Sequence, residues 1–257
     1  MPPIPPFDVV RLATDPTGSA WLVDALCYMD LGGLHYIRDC ILPHIKRYAK
    51  DNHASHVLVA LIQRIPNDIC GKLPMVCLSQ HKTGSVVVQW TLYLADDAYV
   101  QTALDAMRSC FLDLAVRRNA RGVLIMMAYR VDLSPLVDRH LSQIIVDRNG
   151  ALLIRDLVVA GAPGVFECIL RQPVETLIDW CNNKNAFVVV QASLQECNIG
   201  SLMVHKLAPH QHCLVSESGR RVKHALFATA SPCAMRLLET TRSQTWNAPK
   251  KSKKRIY

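Results

Sequence analysis

Seven times along the chain, a polar lead-in is followed by a small residue, two variable positions and an apolar run. The segments are "TDPTGSAWLVDAL", "KDNHASHVLVALI", "SQHKTGSVVVQWTL", "VRRNARGVLIMMA", "VDRNGALLIRDLV", "NNKNAFVVVQASL" and "VSESGRRVKHALF". Their small residues are Gly18, Ala54, Gly84, Ala120, Gly150, Ala186 and Gly219, spaced 36, 30, 36, 30, 36 and 33 apart. A near-fixed period of this length is the signature of a repeat architecture, in which each unit buries its apolar face against the next.

The pattern decides the secondary structure. Each apolar run is as long as about three helical turns. A second segment with apolar residues at three-to-four spacing follows most copies, as in residues 34–49, 98–116 and 133–146. Strand–turn–strand units would need turn signals every ~8–12 residues, and these are missing. The triple valine Val86–Val88 is therefore expected to be helical, with packing overriding its weak helix propensity. Ser134 and Pro135 are placed as a helix cap and first turn, and Asp15, Asp51 and Asp147 as caps or dipole partners at helix starts.

These seven segments resemble the Pumilio (PUF) repeat family from about residue 10 to 240. A typical helix of that family opens with Gly or Ala, then a base-reading residue, a stacking residue, two aliphatics and a second base-reading residue, commonly Gln or Glu. "GSVVVQ" at 84–89 and "AFVVVQ" at 186–191 follow that frame. HEAT and armadillo arrays, with a period of about 40–47 residues, fit the spacings less well. The resemblance implies an all-α fold, a right-handed α-solenoid of about seven PUF-like helical repeats. Residues 1–9 would then be an extension, 10–243 the repeat domain and 244–257 a basic tail.

The resemblance also implies one base read per repeat from a concave helix face, because side chains one turn apart share a face. The first edge positions fall on Ser19, Ser55, Ser85, Arg121, Ala151, Phe187 and Arg220. The stacking positions fall on Ala20, His56, Val86, Gly122, Leu152, Val188 and Arg221. The second edge positions fall on Val23, Val59, Gln89, Ile125, Arg155, Gln191 and His224. Only Ser85 with Gln89 makes a pair of the family's type, which in the family favours adenine. Aliphatic residues stand where copies one, two and four need a hydrogen-bonding group. Such degenerate arrays are similar to the nucleolar ribosome-assembly branch of the family, which holds ribosomal RNA largely by its backbone.

The net charge of +8 sits in the second half and the tail: residues 1–110 carry 9 basic and 10 acidic residues, and "NAPKKSKKRIY" carries 5 basic and none acidic. Arg117, Arg118, Arg121, Arg148, Arg155, Lys184, Arg220, Arg221 and Lys223 flank the starts of repeat helices four to seven. They would form either a phosphate-binding stripe or solvated helix ends paired with Asp147, Asp156 and Glu217. The tail has the composition of a nuclear-localisation or phosphate-binding patch.

The expected RNA-contacting residues are thus Ser85, Gln89, His56, Arg121, Arg155, Gln191, Arg220, Arg221, Lys223 and His224. The expected partner is RNA, pre-ribosomal or ribosomal, with other ribonucleoprotein assembly factors, in the nucleus and nucleolus. A protein-interaction scaffold and a sequence-specific mRNA regulator are the alternatives. No phosphate-binding loop, dinucleotide fingerprint or nucleophile elbow is present, so no enzyme and no cofactor is expected. His210, His212 and Cys213 form the one tight group of potential metal ligands, short of the set a zinc site needs. The scattered cysteines and the lack of a leader or a long apolar stretch point to a soluble protein of a reducing compartment.

Overall fold

The computed structural model describes residues 6–195 and 200–229. Among these every regular element is helical. The seven expected repeat helices are all present: Pro16–Tyr28, Ala54–Arg64, Lys82–Leu94, Arg121–Ala128, Arg148–Val159, Phe187–Gln195 and Glu217–Thr229. The segments read from periodicity become Leu31–Ile41 with Ile45–Tyr48, Asp97–Arg108 with Phe111–Ala115, and Ser134–Ile144. The extension drawn to residue 9 ends inside a helix, Pro6–Thr14. The basic tail lies outside the described residues.

Helix starts follow the lead-in chemistry. Asp15 accepts from the Gly18 amide at 2.7 Å, Asp51 from His53 and Ala54 at 2.8 and 2.9 Å, and Asp147 from Asn149 and Gly150 at 2.8 and 2.9 Å. Each carboxylate satisfies amides that the first helical turn leaves without a partner. Ser134 is the first residue of its helix, and Asp132 does the capping by accepting from the Ser134 amide at 2.8 Å. Glycine at the repeat start is a matter of space. A Cβ at Gly150 would stand 2.2 Å from the Ile144 carbonyl oxygen, and one at Gly84 would stand 2.8 Å from that of Leu78. The repeat helix is thereby pressed against the end of the preceding segment.

The chain packs as two compact units, divided between His140 and Leu141. In the first, repeat helices one to four lie side by side in chain order, with Pro6–Thr14 against the first two. In the second, repeat helices five to seven do the same. Their apolar runs split between core and surface as a helix requires. Val87 and Val88 are fully buried while Val86 is 48% exposed, and Leu153, Ile154, Val189 and Val190 are fully buried. Full burial of one such side chain contributes about 1.5–3 kcal/mol, before the entropy of ordering it is charged against that gain.

Side chains also tie one copy to the next at matching places. Asn119 donates to the Gln80 carbonyl at 2.9 Å and Asn185 to that of Val146 at 2.8 Å, each from the residue before the Ala that opens its copy. Arg64 reaches the carbonyls of Leu26, Cys27 and Met29, and Arg130 those of Leu92, Tyr93 and Ala95. Both arginines stand ten residues beyond the opening Ala and cap the carbonyl end of the previous repeat helix. In the second unit Lys206, on helix Gly200–Leu207, instead reaches the carbonyls of Leu170 and Gln172 at the end of helix Val165–Leu170, at 2.7 and 2.5 Å.

Gly and Ala starts alternate, so the true period is two copies. Gly18, Gly84 and Gly150 are 66 residues apart, as are Ala54, Ala120 and Ala186.

Candidate nucleic-acid interface

In the third copy, helix Lys82–Leu94 presents Ser85, Val86 and Gln89 where the frame puts the two edge positions and the stacking position. Ser85 is only 5% exposed, and its hydroxyl donates to the Lys82 carbonyl at 2.9 Å. Gln89 is half-buried, and its Nε2 donates to the Ser85 carbonyl at 3.2 Å. The same amide lies against Gly122, where a Cβ would meet all three amide heavy atoms at 2.9–3.0 Å. Gly122 is the stacking position of the fourth copy. The side chain meant to read a base edge in copy three therefore covers the place where copy four would stack on one.

The other serines behave like Ser85. Ser19 and Ser55 are buried, and their hydroxyls bond back to the carbonyls of Pro16 and Asn52 at 3.0 and 3.3 Å. Such back-bonding is a standing alternative partner for a helical hydroxyl. The stacking positions Ala20, His56 and Val86 are exposed, whereas Val23, Val59 and Ile125 are half-buried apolar groups. Arg121 is the first residue of the fourth repeat helix and is half-buried, with Arg117 and Arg118 exposed just before it.

In the second unit the charge pattern changes. Arg220, Arg221 and His224 occupy all three reading positions of the last copy, and all three are exposed; Lys223 is half-buried beside them. The Arg221 guanidinium stands over the Phe187 ring at 5.8 Å and donates to Glu217 at 2.7 Å. An exposed cation over a ring contributes about 0.5–1 kcal/mol, enough to favour the contact but not to lock it. Gln191 is half-buried one turn beyond Phe187 on the same helix. Arg155 is half-buried, and Nε and Nη2 both donate to Asp156, at 2.9 and 2.6 Å.

The expected residues fall into groups within each unit. Ser85 and Gln89 meet, and Arg220, Arg221, Lys223 and His224 share one helix. His56 stands one repeat before Val86, and Arg155 is turned into its own ion pair. Of the acids expected to pair with this charge, Asp156 and Glu217 do so, while Asp147 caps its helix. Phe187, read as an edge residue, serves here as the aromatic partner of Arg221. A ring one frame position out of phase with an arginine in the next copy is the only sign of this that the sequence carries. His210, His212 and Cys213 lie in the 3-10 helix Ala208–Cys213. Among the described residues, no group of three His, Cys, Asp or Glu is placed to hold a metal ion. Nor is any described helix long and apolar enough to cross a membrane.

No protein-family model matches the chain, and no curated protein does either. Solved structures do match. One is a double mutant of Puf4 bound to the Cox17 RNA 3′ UTR recognition sequence, with a TM-score of 0.84 at 16% identity over 95% of this chain and 83% of that one. Another is PUF-8 in complex with PBE-RNA, with a TM-score of 0.74 at 13% identity over 92% and 87%. A third is the RNA-binding domain of yeast Puf5p bound to AAT2 RNA, with a TM-score of 0.70 at 13% identity over 94% and 79%. The fold expected from the repeats, an all-helical solenoid of PUF-like units, is the fold these structures share with this chain.

Proposed function

We propose that a chain carrying the fold of the PUF RNA-binding domains uses it to bind single-stranded RNA without catalysis, gripping the backbone far more than it reads the bases. The observation that carries this reading is the last copy, where Arg220, Arg221 and His224 fill the three reading positions and all face solvent. The two guanidinium groups there neutralise phosphates whatever the base sequence. The weak sequence reading follows from Ser19, Ser55 and Ser85 bonding back into their own helices and from aliphatic groups at Val23, Val59 and Ile125.

The RNA we propose is ribosomal or pre-ribosomal, held during ribosome assembly in the nucleolus together with other assembly factors. Support for this lies in the degenerate reading positions and in the run "KKSKKR" of the tail. Fluorescence anisotropy with mixed-sequence single-stranded RNA over a salt series tests the reading. Each phosphate contact should contribute roughly −0.7 to the slope of log affinity against log salt, with little preference among sequences. No binding at low salt would overturn it, and a sharp preference for one oligonucleotide would favour an mRNA regulator. A second reading, a protein-interaction scaffold, is favoured by the apolar half-buried groups Val23, Val59 and Ile125, and would stand if RNA binding is absent.

A further inference from the structure

We infer that Trp90, Tyr93 and Tyr129 form a stacking platform for unpaired bases, set one to two turns beyond the expected stacking row. This rests on the RNA-binding reading above and adds a second kind of contact to it. Among the described residues of the first unit, the expected row offers only one ring: its positions hold Ala20, His56, Val86 and Gly122. Rings are nevertheless present on the same face. Val86, Trp90 and Tyr93 follow at i, i+4 and i+7 and so share one stripe of the third repeat helix. They are 48%, 37% and 61% exposed. The stripe begins at the stacking position and turns aromatic one turn later.

The rings are held by their own geometry and by the neighbouring copy. Trp90 and Tyr93 pack edge to face, with centroids 6.0 Å apart and planes at 87°. Tyr129, at the end of the fourth repeat helix, is 64% exposed and stands 36 residues after Tyr93, in the same place of its copy. The next residue, Arg130, donates to the carbonyls of Leu92 and Tyr93 at 2.9 and 3.4 Å. That clamp brings the end of the fourth repeat helix to the end of the third, so the two tyrosines recur from one copy to the next. In copies one and two the equivalent places hold Cys27 and Gln63.

Unpaired bases fit this arrangement. Every base has a π-face, so stacking tolerates any sequence, which agrees with an interface short of edge-reading groups. The rings stand in file, one or two per repeat, and each has an N–H or O–H at its rim. A protein partner would instead favour a broad apolar centre ringed by polar groups. Base-paired RNA hides the faces these rings would take.

The test uses the full chain and a fluorescein-labelled mixed-sequence single-stranded RNA, with Trp90→Ala/Tyr93→Ala, Tyr129→Ala and Arg220→Glu/Arg221→Glu variants. Far-UV circular dichroism checks that each is folded. The double ring variant should lose about tenfold or more in affinity at every salt concentration, and Tyr129→Ala less, consistent with stacking of ~1–2 bases. The salt slope should not change for either ring variant, because no phosphate contact is lost, whereas Arg220→Glu/Arg221→Glu should flatten it. An abasic ribose-phosphate strand should bind wild type and ring variants alike. Wild-type binding that the ring substitutions leave unchanged would overturn the platform alone and mark the rings as a protein-docking surface. No binding by the wild type would overturn the RNA reading, and the platform with it.

Discussion

The guanidinium of Arg130 donates to the carbonyl of Leu92 at 2.9 Å, so the fourth copy closes the end of the third. Arg64 repeats the contact for the first two copies, reaching Cys27 at 2.6 Å. These carbonyls lie in the last turn of a helix and have no partner within it.

Replacing Arg130 with Ala should therefore cost about 1–3 kcal/mol, the range for charge-assisted hydrogen bonds to groups that lose their partner. Lysine should recover part of it, since one ammonium cannot span Leu92, Tyr93 and Ala95 as a planar fork does. Asp97→Ala should change stability by less than about 0.5 kcal/mol, because that carboxylate is 88% exposed and its ion pair is screened. Urea unfolding followed by circular dichroism separates the three.

Two glycine substitutions should part company. Gly150→Ala drives a Cβ into the Ile144 carbonyl at 2.2 Å, a backbone atom that cannot swing away, and should destabilise by roughly 1–3 kcal/mol. Gly122→Ala meets only the end of the Gln89 side chain. Its helix-propensity gain of about 1 kcal/mol should offset most of the displacement. Thermal melts should show a clear loss for the first and little change for the second.

Glu217→Gln replaces the carboxylate that holds Arg221 at 2.7 Å with a neutral amide and so takes one negative charge from a basic helix face. RNA affinity should rise about two- to fivefold at low salt, and the gain should fade as salt screens it. Stability should fall by about 0.3–1 kcal/mol, because Glu217 also lies in the first turn, where a negative charge complements the positive end of the helix dipole. Anisotropy and urea melts read the two effects independently.

The thiols set a limit in alkali. Burial pushes Cys181 up to about 12 and Cys70 up to about 11, from an ordinary value of 9.0. Raised values mean that the fold favours the protonated thiols. Their contribution to stability is complete below the unfolded value near 9.0 and is lost as pH climbs through about 11 to 12. Stability measured from pH 8 upward should thus decline above about pH 9. At neutral pH iodoacetamide should label the exposed Cys27 before Cys70, Cys168 or Cys181, as peptide mass spectrometry would show.

What was legible in the sequence is what sterics and hydrogen bonding demand at the start of a repeat helix. Gly at a repeat start and Asp three residues before it are requirements of close approach and of orphan amides, so Gly18 with Asp15 and Gly150 with Asp147 announce their helices. The roles of the reading positions were less accessible. Register places Ser85 on the right turn, but its hydroxyl chose the Lys82 carbonyl, a choice made by rotamer and burial. Nothing in the sequence marks Arg64 and Arg130 as clamps, because the carbonyls they reach lie 35 to 38 residues back. Phe187 carried no mark of its partner beyond its one-position offset in the repeat frame, since Arg221 comes from the following copy.

The alternation of Gly and Ala starts bears on how such a chain can change its length. In the first unit a block of 66 residues carries one start of each kind, together with its Arg64 or Arg130 clamp. Adding or deleting such a block keeps each Gly start against the segment that leaves no room for a methyl group, whereas removing the single copy that opens at Gly84 would set the Ala120 start in that place. The unit that can be inserted or removed without steric conflict in this part of the chain is accordingly a couplet and not a single copy.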